Sequence, residues 1–171
     1  MKQLSLFVLL FALLLSGCSP DKSNQEVTLS PDERTDLYET AISAARDEQS
    51  NEAFPLITES DDDMAALVFE ILGVKPENMA CYALSVSPMN VKAYAVGAIY
   101  PAAGKKDLLL ENLRTFMVEQ QQSFKNYLAD QYEIAVNTRL ETLEDGTILL
   151  VMTENQDALF DAIRDTIERG T

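Results

Sequence analysis

The sequence predicts an α+β domain whose helices pack on one face of a largely antiparallel, four-stranded sheet, with helices on both faces as the alternative. Two observations carry this prediction. Helical and strand-like segments alternate in the order ααββαββα, judged by the spacing of their apolar residues. Two pairs of strand segments are joined by short connections typical of hairpins. Residues 30–171 have the length of a single domain.

The N-terminus has the pattern of a bacterial signal peptide. Lys2 and the free amino group form a short positive region, and Leu6 to Leu15 form an apolar run too short to span a membrane comfortably. The run ends at Leu15-Ser16-Gly17-Cys18, which resembles the lipobox of bacterial lipoprotein precursors. We therefore expect residues 1–17 to be removed. Lipid on Cys18 would then anchor the protein to the extracytoplasmic face of the cell membrane.

Residues 18–29 are mostly polar and are interpreted as a tether. The domain is predicted to begin with Ser30-Pro31-Asp32-Glu33, which is typical of a helix start: serine can cap, proline suits the first helical position, and Glu33 can complete a capping box. A weakly apolar stripe predicts a peripheral helix that ends near Gln49.

A second helix is predicted after Ser60, with Asp61-Asp62-Asp63 in its first turn and Gly73 as its C-cap. The three carboxylates could also collect Ca²⁺, since hard cations take oxygen ligands. The run lacks the alternating ligands and the glycine of a calcium loop, and acidic residues are favoured at a helix start in any case.

The first hairpin is predicted to pair Ala80–Ser87 with Val91–Tyr100 through Pro88-Met89-Asn90. One face is expected to carry Tyr82, Leu84 and Val86, followed by Tyr94, Val96 and Ala98 or their neighbours. The other face would then be small throughout, with Cys81, Ala83, Ser85, Ala93, Ala95 and Gly97. Such a face lets a helix approach closely, and a ligand slot is the alternative.

The C-terminal half repeats the order of helix and hairpin. Apolar residues from Leu109 to Leu128 predict a long amphipathic helix with Gln120 on its buried stripe, followed by a short turn at Gln131–Val136. The second hairpin is predicted around Asp145-Gly146, with Ile148–Met152 as a central strand covered on both faces. The closing helix is expected to start at Asn155 as its cap and to bury Leu159, Phe160, Ile163 and Ile167.

Composition excludes several chemistries. The chain has no histidine and no tryptophan, and its six glycines form no phosphate-binding motif. A net charge of -15 disfavours nucleic acid as a partner. With Cys18 acylated only Cys81 remains, so we expect a buried thiol, with a reactive one as the alternative. Ser19 and Lys22 have the S-x-x-K spacing of serine acyl-enzymes but lie in the tether. No catalytic residue, metal site or cofactor is therefore predicted.

The candidate binding surface lies around the first hairpin. Tyrosines, an amide and a lysine near one edge of a sheet are typical of partner-binding surfaces, although cross-strand packing explains the tyrosines equally well. The predicted partner or ligand surface consists of Tyr82, Met89, Asn90, Lys92 and Tyr94.

Several features together resemble a family of small Gram-positive cell-surface lipoproteins that share a domain of unknown function. These are the lipobox, Tyr82 with Val91-Lys92-Ala93, a long helix with a glutamine-rich middle, Tyr127 with Tyr132, and Ile148-Leu149-Leu150-Val151. The resemblance covers residues 60 to 168. It implies a cell-surface location and no established activity or site residues. The first helix, Asp32–Glu48, lies outside the family pattern.

Three functions follow as hypotheses. The leading one is a non-catalytic, membrane-tethered binding or assembly module of the cell envelope, with an envelope protein as partner. The alternative is a lipoprotein that binds a small ligand or a cation. An enzyme acting on envelope polymers is third, because no nucleophile and base can be paired.

Overall fold

A computed structural model describes residues 29–171; the predicted signal peptide, Cys18 and the tether up to residue 28 lie outside the described residues. The helices are α1 (Pro31–Ala45), α2 (Glu48–Ala53), α3 (Ala65–Leu72), α4 (Lys106–Phe124), α5 (Ala129–Val136) and α6 (Gln156–Gly170), and the strands are β1 (Met79–Val86), β2 (Ala95–Pro101), β3 (Arg139–Thr142) and β4 (Ile148–Met152). A short 3₁₀ helix, Pro76–Asn78, precedes β1.

The four strands form one sheet in the order β1-β2-β4-β3, and every neighbouring pair is antiparallel. This confirms the predicted α+β class and the antiparallel four-stranded sheet. All five residues of β4 are buried, which confirms the prediction for Ile148–Met152. The strand lies between β2 and β3, so its backbone hydrogen bonds are satisfied on both sides.

Helices cover both faces of the sheet, so the alternative architecture is the correct one. On one face α3, α4 and α5 pack over β4 residues Ile148, Leu150 and Met152. On the other face α1 and α6 pack over Leu149 and Val151. The physical reason is the unbroken apolar run of β4, because alternate residues point to opposite faces and each face must be removed from water.

The helix ends are partly as predicted. The capping box is present: Ser30 Oγ accepts from Glu33 N at 3.3 Å, and Ser30 N donates to Glu33 Oε2 at 2.9 Å. Gly73 ends α3 with φ +65°, which confirms the C-cap. However, α1 ends at Ala45, and the separate helix α2 was not predicted.

The acidic residues lie before α3 and not in its first turn. Asp62 Oδ1 accepts from Met64 N at 2.8 Å, so this carboxylate fixes the turn that leads into the helix. At the other end of the chain, Asn155 occupies the N-cap position of α6, but its side chain makes no capping hydrogen bond. The predicted turn at Gln131–Val136 is a full helix, α5, and α4 ends at Phe124, before Leu128.

The first hairpin differs from its prediction in the length of its connection and in which residues share a face of the sheet. The strand β2 begins at Ala95, four residues later than Val91, so residues 87–94 form the connection. Leu84 lies opposite Gly97, and Val86 lies opposite Ala95. Residues opposite each other in neighbouring strands share a face of the sheet. Large side chains of β1 therefore lie next to small residues of β2. The predicted division into one face of large residues and one of small residues was wrong.

This pairing makes Gly97 sensitive to enlargement. A Cβ atom at Gly97 would lie 2.7 Å from Leu84 Cδ2. We expect Gly97→Val to lower the free energy of unfolding by about 1–3 kcal/mol, measured by urea denaturation. In a Leu84→Ala background the same change should cost less, because the contact is gone. An equal cost in both backgrounds would contradict this explanation.

Candidate functional site

The residues of the predicted surface do not form one surface. Tyr82 is buried under α3, where its ring meets that of Phe69 edge to face at 5.5 Å. Tyr94 is buried on the opposite face of the sheet and stacks on Phe54 at 4.0 Å. Only Met89, Asn90 and Lys92 lie together, in the connection between β1 and β2. Both tyrosine rings pack against other aromatic rings, as the alternative explanation held.

We call residues 88–93 the tip loop, because they project beyond the ends of β1 and β2. Met89 and Val91 are 57% and 55% exposed. Tyr127, from the turn between α4 and α5, is 56% exposed and donates its hydroxyl hydrogen to the Asn90 carbonyl at 2.8 Å. The exposed side chains of Met89, Val91 and Tyr127 are the tip surface.

The tip loop is held from three sides. Met89 N donates to Ser87 Oγ at 3.2 Å, and Ala93 N donates to the buried side chain of Gln131 at 2.8 Å. With the bond from Tyr127, these contacts fix the loop at its start, middle and end. An apolar surface on a fixed backbone loses little conformational entropy when a partner covers it.

Charged groups flank the tip surface. Lys92 forms an exposed ion pair with Glu154 at 3.2 Å. The pKa of Asp130 is lowered, mainly because its carboxylate accepts from the Gln131 side chain, and the charge of Lys92 adds to this. Apolar residues with a charged rim are typical of protein–protein interfaces.

Sequence reasoning missed Val91 and Tyr127 as members of this surface. Val91 was placed in a strand, and Tyr127 was placed on the buried stripe of the long helix. The helix ends at Phe124, so Tyr127 leaves that stripe. The signal that could have located the tip loop is Gln131, because a buried glutamine side chain needs hydrogen-bond partners such as a loop N–H.

The tip loop and the start of the domain lie at opposite ends of α1. Near the first turn of α1, Arg34 pairs with Asp145 in the β3–β4 turn. Just after its last turn, Arg46 donates to Ser85 Oγ at 2.9 Å and to Tyr94 Oη at 3.0 Å. Fifteen helical residues at about 1.5 Å each separate the two ends by about 22 Å.

Cys81 is a packing residue. It is 6% exposed and lies in the layer between the sheet and α1. Burial raises the pKa of its thiol to about 11, so the thiol stays protonated near neutral pH. This confirms the predicted burial. The small residues Cys81 and Ala83 let α1 approach β1 closely, as the helix-packing explanation required.

Within residues 29–171, no three acidic or cysteine side chains come together as a metal-binding group, the Asp61-Asp62-Asp63 run included. The helices of this region are all too short or too polar to cross a bilayer.

The fold and the tip loop together define a class: a three-layer α+β domain with a braced, partly apolar loop at one end of its sheet. The chain belongs to the family described as Domain of unknown function (DUF4358), whose family model matches residues 56–153. The matched region runs from before α3 to the end of β4 and contains the whole sheet and the tip loop. No curated protein and no solved structure matches the chain.

The family match confirms the resemblance to a domain of unknown function. It ends at residue 153, earlier than the expected 168, so α6 lies outside it. Helix α1 also lies outside, as the sequence indicated. Helix α2 lies outside as well, and α1 and α6 cover the same face of the sheet.

Proposed function

We propose that this protein is a membrane-anchored bacterial lipoprotein, of the small Gram-positive cell-surface kind, that acts as a non-catalytic binding or assembly module of the cell envelope. The tip surface would contact a protein partner. The observation that carries this proposal is the exposure of three large side chains on a loop that internal hydrogen bonds hold in place.

Apolar side chains on a fixed loop stay in contact with water unless a partner covers them. Large apolar side chains on a mobile loop can fold back onto the domain, whereas those of the tip loop are kept in water by its backbone contacts. Tyrosine and methionine are enriched in interfaces because each removes a large area from water on binding. Tyr127 contacts Asn90, the residue between Met89 and Val91, so a single partner docked at this loop can cover all three side chains.

Anchoring at Cys18 fits this orientation. The described chain begins beside the β3–β4 turn, and the tip loop lies at the far end of α1. The tether would therefore leave the domain at the end away from the tip surface. With a net charge of -15 the domain itself is repelled by anionic headgroups, so the lipid would supply the attachment.

Site-specific photo-crosslinking in cells tests the tip surface. A photoreactive amino acid at Val91 should capture a reproducible protein partner, identified by mass spectrometry. The matched control is Val118, which is 48% exposed on α4 and not part of the tip surface. Equal capture at both positions, or none at Val91, would contradict the proposal. Capture of lipid alone at Val91 would also contradict it.

A further inference from the structure

Arg46 is held rigidly although it follows the last turn of α1. Its Nε donates to Asn51 Oδ1 at 2.9 Å, and its Nη1 lies 3.0 Å from the Phe54 carbonyl. The same Nη1 lies 2.9 Å from Ser85 Oγ and 3.0 Å from Tyr94 Oη. These contacts fix the plane of the guanidinium. None of them neutralises its charge.

Arg46 differs from comparable arginines in its ionic contacts. Arg34, Arg139 and Arg164 are also not fully exposed, and each has a carboxylate within 4.0 Å. Within residues 29–171, Arg46 has none, although acidic residues outnumber basic ones by 28 to 13 in the whole chain. A partly desolvated guanidinium is stabilised by an anion.

The third guanidinium nitrogen of Arg46, Nη2, is available to a ligand. It donates to no atom of the described residues, whereas Nε and Nη1 are both engaged. No side-chain nitrogen or oxygen in that part of the chain is both buried and unpartnered, so Nη2 reaches solvent.

A cavity of about 300 Å³ lies beside this group. Its polar wall includes Arg46, Ser50, Tyr94, Thr153 and Asn155, and Leu159 contributes apolar surface. The Tyr94 hydroxyl accepts from Arg46, so its own hydrogen can be donated to a ligand. The volume is at the lower end of the range for small-molecule sites.

The charges favour a singly charged carboxylate. Asp47 also lines the cavity, and its pKa is lowered chiefly by the hydrogen bond from Ser50 N, so the side chain is ionised at neutral pH. Of the residues that line the cavity, Arg46 is the only cation, so a monoanion balances its charge, whereas a dianion such as hydrogen phosphate adds a second negative charge near Asp47. Because Nε and Nη1 are engaged, the carboxylate would accept from Nη2 alone and not from two nitrogens of the guanidinium.

We propose that this cavity is a binding site for a small organic carboxylate, which accepts hydrogen bonds from Nη2 of Arg46 and from the Tyr94 hydroxyl. The site is formed by the end of α1, the start of β2 and the start of α6. It is separate from the tip surface, so either proposal can fail without the other.

Isothermal titration calorimetry of the full chain in detergent micelles tests the site, with acetate, propionate and benzoate as probes and chloride at equal ionic strength as the blank. At least one carboxylate should bind with a Kd of about 1 mM or tighter. Arg46→Gln should weaken binding by about tenfold or more, which corresponds to one charge-assisted hydrogen bond. The matched control is Arg114→Gln, which removes an exposed arginine on α4 and should leave the Kd unchanged.

Two further measurements keep the test decisive if Arg46→Gln does not fold. Tyr94→Phe keeps the ring that stacks on Phe54, removes the hydroxyl that donates to the ligand and should weaken binding. Phenylglyoxal modification of wild-type Arg46, followed by peptide mass spectrometry, should slow in the presence of the carboxylate while modification of Arg114 does not. Absence of binding by all three probes would overturn the proposal. So would inorganic phosphate binding as tightly as the carboxylates, because the site would then be a general anion site.

Discussion

Replacement of Cys18 by alanine is expected to release the protein from the membrane fraction completely. Two or more acyl chains on one residue anchor a protein essentially irreversibly, since each buried methylene contributes about 0.8 kcal/mol and one chain alone binds only marginally. The apolar run from Leu6 to Leu15 is too short to span a bilayer comfortably, and the net charge of -15 opposes binding to anionic headgroups, so we expect neither to replace the lipid. Cell fractionation after a high-salt wash measures the effect.

The second cysteine of the chain provides the matched control. Cys81 is buried between β1 and α1, so Cys81→Ala should leave both the membrane fraction and the incorporation of labelled palmitate unchanged. Cys18→Ala should abolish the label. A Cys18→Ala protein that stays in the membrane after the salt wash would refute lipid anchoring at this residue.

The parts of the fold that were predictable from sequence are those fixed by local chemistry. The continuous apolar run of β4 requires cover on both faces, and Ser30 with Glu33 satisfies the first amide groups of α1 by itself. Gly73 ends α3 because only a residue without Cβ adopts φ +65° at no cost. Each of these signals is contained within a few neighbouring residues.

The errors arise where the deciding partner is far away in sequence. The alternation of β1 and of β2 was read correctly within each strand, but which face of β2 joins which face of β1 depends on register. Register in turn depends on the length of the tip loop, which Gln131 and Tyr127 fix from the other half of the chain. The grouping of large and small residues could not be settled without them.

The same limit applies to the two candidate sites. The tip loop was predictable as a turn, but the contribution of Tyr127 depends on where α4 ends. Of the Arg46 site only Tyr94 was among the predicted residues, because the acceptors of Arg46 lie between 5 and 48 residues along the chain. That Arg46 has no carboxylate within 4.0 Å among residues 29–171 follows only from the folded structure.

A buried hydrogen-bond network near the first turn of α1 joins residues that are far apart in sequence and contributes to the stability of the fold. Arg34 Nη1 donates to Asp145 Oδ2, which also accepts from Thr147 Oγ1 at 2.7 Å, and Thr147 Oγ1 accepts from the Tyr38 hydroxyl at 2.5 Å. The Arg34 guanidinium lies 4.1 Å from the centre of the Tyr100 ring. The Arg34 and Asp145 side chains are only 8% and 12% exposed, so this ion pair is shielded from water. The sequence assigned Asp145 to the hairpin turn alone.

Asp145→Ala is therefore expected to lower the free energy of unfolding by about 3–5 kcal/mol, because it leaves the Arg34 charge buried without a partner. Urea denaturation followed by circular dichroism measures the loss. Glu141→Ala is the matched control: Glu141 pairs with Arg139 at 2.6 Å but is 49% exposed, and its removal should cost less than about 1 kcal/mol. Combining Asp145→Ala with Arg34→Met should restore part of the lost stability, since no unpaired charge then remains. Equal losses for Asp145→Ala and Glu141→Ala would show that burial of this pair does not govern how α1 is held on the sheet.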